Sequence, residues 1–224
     1  MARYRKGLYG WGINDADYEI KRYNEDGSKF ICPFYNTWRS MVKRGACPKY
    51  KEKFPAYKDV GISEDWRYFM DFRAWMEQQD WQGKCLDKDL LSGDRKEYSP
   101  NTCCFISHRV NIFISERMNP DFKFEKGTWY DKNRGKWRSQ GVYYDQSVNK
   151  AKHLGYYLTQ QEAHEAWRSY KEYCANKLAR DELEGIAFDA LVKRYSFGVW
   201  YDDQHSPDFM FLFEDNSFSK ILLK

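Results

Sequence analysis

Every third residue from Trp66 to Trp75 is aromatic, and this spacing constrains the fold more than any other feature of the chain. Residues three or four positions apart share one face of an α-helix, so these side chains form a wide apolar stripe. Ser63, which precedes Glu64 and Asp65, is a typical N-cap followed by acidic residues in the first turn. We therefore predict a helix over 64–79 that forms the aromatic core of an N-terminal domain.

The composition places this aromatic core inside a very polar surface. Aromatic residues make up 19% of the 224 residues and charged residues 31%, and the mean hydropathy is −0.89. Disordered chains lack such aromatic content, so we expect a folded protein of one large or two small domains. Neither a signal sequence nor a membrane span is visible, and the six cysteines contain no Cys-x-x-Cys pair. We expect a cytoplasmic location, no membrane partner and no zinc.

Charge is distributed unevenly along the chain. Residues 1–58 carry 13 Lys and Arg against 6 Asp and Glu, and residues 123–153 carry 8 against 3. Residues 59–122 carry 8 against 12, and residues 181–224 carry 4 against 9. Two basic blocks with interleaved aromatics suit a polyanion such as nucleic acid. The alternative is a solvated surface whose charge is uneven by chance.

A short amphipathic helix is predicted over 34–44, because Tyr35, Trp38 and Met41 recur at helical spacing. Its other faces carry three basic residues that are candidates for phosphate contacts. These are Arg39, Lys43 and Arg44. Lysines 49, 51 and 53 follow in the next loop and extend this basic segment. A purely solubilising role for all of these charges is the alternative interpretation.

Strand, loop, strand and helix follow each other between residues 84 and 118. We predict strands over 84–91 and 102–107 and a helix from Ser107 to about Met118. Four polar side chains with metal-binding or catalytic chemistry fall on this stretch: Asp87, Asp89, His108 and Asn111. Carboxylate and amide oxygens suit magnesium, and a carboxylate or imidazole is a general base.

This order of elements resembles the ββα-metal (HNH) nuclease fold. The succession of motifs, beginning at Tyr35-Asn36-Thr37-Trp38, is similar over residues 30–180 to phage-encoded HNH homing endonucleases. The resemblance implies that Asp87 and Asn111 hold a magnesium ion, with Asp87, Asp89 and His108 as catalytic residues. Asp87 stands where the family has its histidine, and Leu86 stands where it has a ligand. The alternative interpretation is a structural motif in which Asp87 and Lys88 hydrogen-bond the loop.

Three strands and a helix are predicted in the next segment. The strands span 126–130, 136–144 and 151–157, and Thr159-x-x-Glu162 is a capping box that opens a helix to about Leu183. This pattern resembles the Apetala-type DNA-binding domain, whose sheet lies in the major groove. The resemblance implies DNA contacts from four residues: Arg134, Lys136, Trp137 and Arg138.

Alternation along the second strand divides these four candidates. Lys136 and Arg138 fall on one face of the sheet and Trp137 falls on the other. We therefore favour Arg134, Lys136 and Arg138 for DNA, and Trp137 either contacts a base or lies in the core. A structural sheet with solvated lysines is the alternative.

Together these patterns predict an α+β fold of three segments. Residues 1–122 form a helical and HNH-like domain, residues 123–183 the three-stranded sheet plus helix, and residues 184–224 an acidic C-terminal extension. The extension is predicted to contain a helix over 186–194 and a strand pair near 197–201 and 209–213. The resemblance implies a phage protein, located in the cytoplasm of a bacterial host cell, that binds double-stranded DNA and cleaves it as an HNH endonuclease. The alternative is a catalytically degenerate protein that binds DNA, or a host protein through the acidic segment.

Overall fold

A computed structural model describes residues 7–93, 95–115, 124–144, 149–197, 199–200, 209–214 and 217–222. In these ranges the fold is mixed α+β, with seven α-helices and five small sheets. The α+β class is thereby confirmed, whereas the specific HNH arrangement stays a prediction. The chain divides into two compact units, Met1–His108 and Arg109–Lys224. The sequence-predicted boundary at 122 lies outside the described residues.

The first unit combines four helices with three two-stranded sheets. The pairs are β1–β2 and β4–β6, which are antiparallel, and β3–β5, which is parallel. Its elements in chain order are β1 (Lys21–Tyr23), β2 (Lys29–Ile31), α1 (Pro33–Ala46), α2 (Pro48–Lys53), β3 (Gly61–Ile62), α3 (Phe69–Glu77), β4 (Cys85–Asp87), α4 (Asp89–Ser92), β5 (Glu97–Tyr98) and β6 (Cys104–Ile106).

The core of the first unit is aromatic, as the spacing predicts. Helix α1 confirms the helix expected over 34–44, and its Trp38 is completely buried. The Trp38 Nε1 donates a 2.8 Å hydrogen bond to the Trp66 carbonyl, so the indole satisfies its donor inside the core. Phe69 and Phe72 of α3 are also completely buried, and the Phe69 ring packs 5.6 Å from that of Trp38.

The single helix predicted over 64–79 is wrong, because the N-terminal segment interrupts it. Ser63 caps a 3-10 turn over Glu64–Trp66, and α3 begins only at Phe69. Ile13 accepts a hydrogen bond from the Phe69 amide and donates its own amide to the Arg67 carbonyl. These long-range backbone bonds hold the chain extended at the break, where a continuous helix needs local bonds.

The strand predicted over 84–91 is also shorter than expected. It ends at Asp87, and α4 begins two residues later. The second strand and the antiparallel pairing follow the prediction, with Asp87 opposite Cys104. The helix α5 (His108–Ile114) begins directly after the predicted cap, Ser107. Its predicted end at Met118 lies outside the described residues.

In its described residues, the second unit contains two helices after α5 and two three-stranded sheets. The strand orders are β7-β8-β9 and β10-β11-β12, all antiparallel. After α5, its elements are β7 (Thr128–Asp131), β8 (Lys136–Tyr144), β9 (Asn149–Tyr157), α6 (Gln160–Glu182), α7 (Gly185–Arg194), β10 (Val199–Trp200), β11 (Phe209–Glu214) and β12 (Ser217–Leu222).

The three predicted strands and the capping box of α6 are confirmed. Thr159 Oγ1 accepts from the Glu162 amide, and the Glu162 carboxylate accepts from the Thr159 amide. Helix α6 packs closely on the sheet because glycines face it. A Cβ on Gly141 would lie 2.1 Å from the Tyr170 ring, and a Cβ on Gly127 would lie 2.0 Å from Trp167. One face of the sheet is therefore covered by α6.

The C-terminal segment also follows the prediction in part. Helix α7 confirms the helix expected over 186–194, and β10 and β11 form the expected antiparallel pair. Strand β12 adds a third member that the sequence analysis did not predict. In the described part of the chain, no helix combines the length and apolar character that a membrane crossing requires.

Candidate nucleic-acid interface

The face of the β7–β8–β9 sheet that α6 does not cover carries a cluster of cationic and aromatic side chains. Arg138 lies opposite Trp129 in the register of β7 and β8, and its guanidinium carbon lies 4.8 Å from the centroid of the Trp129 indole. Side chains alternate between the faces of a strand. Ser139 and Gly141 point toward α6, so Arg138 and Gln140 point away from it.

A bulge in β9 adds two more rings to this open face. Tyr156 pairs with Arg138 and His153 with Gln140, so one additional residue of β9 is accommodated between these pairs. In a regular strand His153 and Tyr156 would lie on opposite faces, because they are three positions apart. With the bulge they lie on the same face, and their ring centroids are 4.8 Å apart.

Arg138 is held in place by two neutral acceptors. Its Nε donates to the Nδ1 atom of His153 at 3.3 Å, and its Nη2 donates to Gln140 Oε1 at 3.2 Å. Neither contact neutralises the guanidinium, so the arginine is oriented while its charge and remaining N–H groups stay available to an anion. Burial and the nearby charge of Arg138 lower the pKa of His153 from its usual 6.5.

The edge of the open face is more exposed and more cationic. The Arg134 guanidinium lies 4.7 Å from the centroid of the Tyr156 ring and 3.7 Å from an Asp131 carboxylate oxygen, and its side chain is 63% exposed. Lys136 is exposed at the first position of β8. The structure therefore groups the three favoured cations, Arg134, Lys136 and Arg138, on one side of the sheet.

Trp137 lies on the opposite face. Its ring makes edge contacts with Tyr130 and Phe124, at centroid distances of 5.3 and 5.1 Å. Of the two roles considered for it, the geometry favours packing.

Four members of the cluster were not predicted from the sequence: Trp129, Gln140, His153 and Tyr156. Trp129 could have been predicted, because regular pairing of the first two strands places it opposite Arg138. The bulge that brings His153 to this face cannot be recognised from the local sequence.

Comparisons with protein-family models, with curated proteins and with solved structures find no match to this chain.

The second group of predicted site residues begins in the β4–β6 hairpin. Asp87 of this hairpin forms hydrogen bonds that stabilise the local fold. Its Oδ2 atom accepts hydrogen bonds from the backbone amides of Asp89 (2.8 Å) and Leu90 (2.7 Å). These amides are unsatisfied donors at the start of α4, so the carboxylate acts as its cap. The Asp87 side chain is buried, and burial raises its pKa above the usual 3.8.

The surroundings of Asp87 do not fit a divalent metal ion. Asp89 forms an ion pair with the ammonium group of Lys88, which places a cation beside the two carboxylates. Among the described residues, no group of three or more His, Cys, Asp or Glu side chains is arranged to hold a metal. Magnesium prefers several oxygen ligands, and at this hairpin the Lys88 ammonium group competes with such an ion for the Asp89 carboxylate.

The other two candidates of this stretch, His108 and Asn111, lie on α5. His108 is exposed at the first position of α5, and Asn111 is half-buried one turn later. The boundary between the two units falls between His108 and Arg109. Asp87 and Asn111 therefore belong to different units.

The three cations predicted on α1 also have different environments. Arg44 lies with its guanidinium 5.0 Å from the Tyr98 ring centroid and donates from Nε to the Ser40 carbonyl at 3.3 Å. Arg39 donates to the Asn36 side chain at 3.1 Å. Lys43 is exposed, and its ammonium group lies 5.2 Å from the Tyr50 ring centroid. Arg44 thus packs within the first unit, whereas Lys43 faces outward.

The capping role of Asp87 predicts different stabilities for two substitutions. Asp87→Asn keeps an oxygen that accepts both backbone bonds and removes a charge that burial disfavours, so its free energy of unfolding at pH 7 should equal or exceed the wild-type value. Asp87→Ala leaves two amide donors without an acceptor, which costs about 1–3 kcal/mol. Chemical denaturation followed by circular dichroism measures both values. Equal destabilisation by Asn and Ala would refute the capping role.

The lowered pKa of His153 predicts a pH-dependent stability. The unfolded chain takes up a proton on this histidine near pH 6.5, while the folded state takes it up only at lower pH. Stability is therefore lost as the pH falls from about 6.5 through the folded-state pKa. His153→Gln still accepts from Arg138 and should lose less stability than wild type between about pH 7.5 and 5.5. Denaturation at both pH values measures this, and identical losses would contradict the prediction.

Proposed function

We propose that this protein binds double-stranded DNA through the open face of the β7–β8–β9 sheet. The observation that carries the proposal is the oriented Arg138, which lies over Trp129 and is held by two neutral acceptors. An arginine that pairs with no carboxylate among the described residues, on a strand face that α6 does not cover, suits the phosphates and base edges of a DNA groove. The net positive charge of residues 123–153, 8 Lys and Arg against 3 Asp and Glu, favours the same ligand.

The geometry supports separate roles within this surface. Arg138 is central and its side chain is fixed, as a base-reading residue needs to be. Lys136 and Arg134 are exposed at the edge, where long flexible cations contact phosphates with little dependence on sequence. The major groove is wide enough to admit a two-stranded β-ribbon, so a pair of these antiparallel strands can enter it.

For the β4–β6 hairpin we propose a structural rather than a hydrolytic role. Asp87 Oδ2 already accepts two backbone amides, and the ammonium group of Lys88 lies beside Asp89. An oxygen that already accepts two amides has little capacity left to take up a proton or to bind a metal ion. The catalytically degenerate DNA-binding protein is therefore the better supported of the two functions that the resemblance to HNH endonucleases suggests.

The DNA-binding proposal predicts a large effect of one surface charge. Arg138→Gln should weaken binding to duplex DNA about tenfold or more, since a good arginine–base contact contributes about 1–3 kcal/mol. The double change Arg134→Gln and Lys136→Gln should reduce the slope of log affinity against log salt by about 2, one for each phosphate contact. Fluorescence anisotropy with labelled duplexes measures both effects.

Lys193→Gln is the matched control for these variants. Lys193 is exposed on α7 and lies outside the sheet, so its loss changes the net charge equally without touching the proposed surface. An equal effect of Lys193→Gln and Arg138→Gln would show that binding depends only on net charge. No binding of wild type to any duplex at low salt would refute the function itself.

Cleavage is tested separately from binding. We expect no magnesium- or manganese-dependent nicking of supercoiled plasmid by wild type, because the contacts of Asp87 and Asp89 leave no metal site. Asp87→Ala and Asp87→Asn are compared in the same assay. Metal-dependent nicking by wild type that both variants lose would overturn the structural role and restore the endonuclease function.

A further inference from the structure

The first unit has an exposed surface of lysines and aromatic rings that belongs neither to the hairpin nor to the sheet. It lies on the end of α1, on α2 and on the 3-10 turn Pro55–Tyr57. We call it the lysine–aromatic surface. It consists of Lys43, Lys49, Tyr50, Lys53, Phe54 and Tyr57.

The rings of this surface contact one another and two of its lysines. The Tyr50 ring centroid lies 4.6 Å from that of Phe54 and 5.5 Å from that of Tyr57. The Lys43 ammonium lies 5.2 Å from the Tyr50 centroid, and the Lys53 ammonium lies 5.6 Å from the Phe54 centroid. Phe54 is nevertheless 40% exposed, so part of an aromatic ring faces solvent beside the Lys53 ammonium group.

The cations of the surface are not neutralised. Residues 43–58 contain six Lys and Arg against one acidic residue, Glu52. Two of the six are engaged elsewhere: Lys51 donates to the Val60 carbonyl at 2.8 Å, and Arg44 packs over Tyr98. Lys43, Lys49 and Lys53 are exposed, and within the described ranges none of them forms an ion pair with a carboxylate.

We infer that the lysine–aromatic surface binds single-stranded DNA. An exposed aromatic ring flanked by unneutralised lysines combines a stacking platform for a base with attraction for the adjacent phosphates. A duplex offers this surface only phosphates, because its bases already stack on one another. An acidic protein offers carboxylates to the lysines, but only a single strand places an unpaired base beside every phosphate. The single strand is the ligand that uses both features.

This inference does not depend on duplex binding by the sheet. The two surfaces lie in different units and share no residue. Changes on one should leave the ligand of the other unaffected, so the two proposals fail separately.

The test measures anisotropy of a fluorescein-labelled short oligothymidine with the full chain. Phe54→Leu keeps an apolar side chain against Tyr50 but removes the π-face, and affinity should fall about tenfold, within the range that base–aromatic stacking provides. Phe54→Trp restores a larger ring and should bind at least as tightly as wild type. The double change Lys49→Gln and Lys53→Gln should weaken binding and flatten its salt dependence.

Tyr23→Leu and Arg138→Gln are the controls. Tyr23 is a 74% exposed ring near Lys29, outside the lysine–aromatic surface, and both variants should bind oligothymidine as wild type does. An equal loss with Tyr23→Leu, or a loss with Arg138→Gln, would place the single strand elsewhere and overturn the inference. No binding by wild type would overturn it as well. Polyglutamate binding equal to that of oligothymidine, without an effect of Phe54→Leu, would assign the surface to an acidic protein.

Discussion

The close approach of α6 to the β7–β8–β9 sheet decides which side chains this part of the molecule presents. Gly141 and Gly127 leave no room for a Cβ beneath Tyr170 and Trp167, and Ser139 is completely buried beside them. Because strand side chains alternate, burial of these small residues on one face directs their neighbours to the other. The half-buried Arg138 and Gln140 therefore lie on the face away from α6 as a consequence of how the helix packs.

Elements that depend on local patterns could be predicted from the sequence, and those that depend on distant partners could not. The three strands, the capping box at Thr159 and helix α1 follow from periodicity and caps within a few residues. The break before α3 depends on backbone bonds from Ile13 and on the Asp15 carboxylate, which accepts from the Met70 amide 55 positions away. A short stretch of sequence around Trp66 therefore cannot reveal the break before α3.

The same distinction applies to the candidate site. Arg134, Lys136 and Arg138 follow from alternation in one strand, whereas His153 and Tyr156 join them only through the bulge of β9. For Asp87 the difficulty is different, because one local pattern fits two roles. Its position next to Asp89 indicates a catalytic pair, yet an aspartate followed by a helical turn is equally suited to cap that turn. The two short bonds from the Asp89 and Leu90 amides favour the cap.

The net charge of +4 understates how the chain can interact with a polyanion. At physiological ionic strength a charge is screened over about 8 Å, so a phosphate responds to the side chains beside it and not to the total. Acidic residues reduce the local field where they lie within that distance of the cations, as Asp131 does beside Arg134 and Asp59 beside Lys96. The ammonium groups of Lys43 and Lys53 lie over aromatic rings instead, and a ring leaves the full charge in place. Attraction for nucleic acid is therefore set separately on each surface, by the number of cations that lack a carboxylate partner and by the rings that hold them.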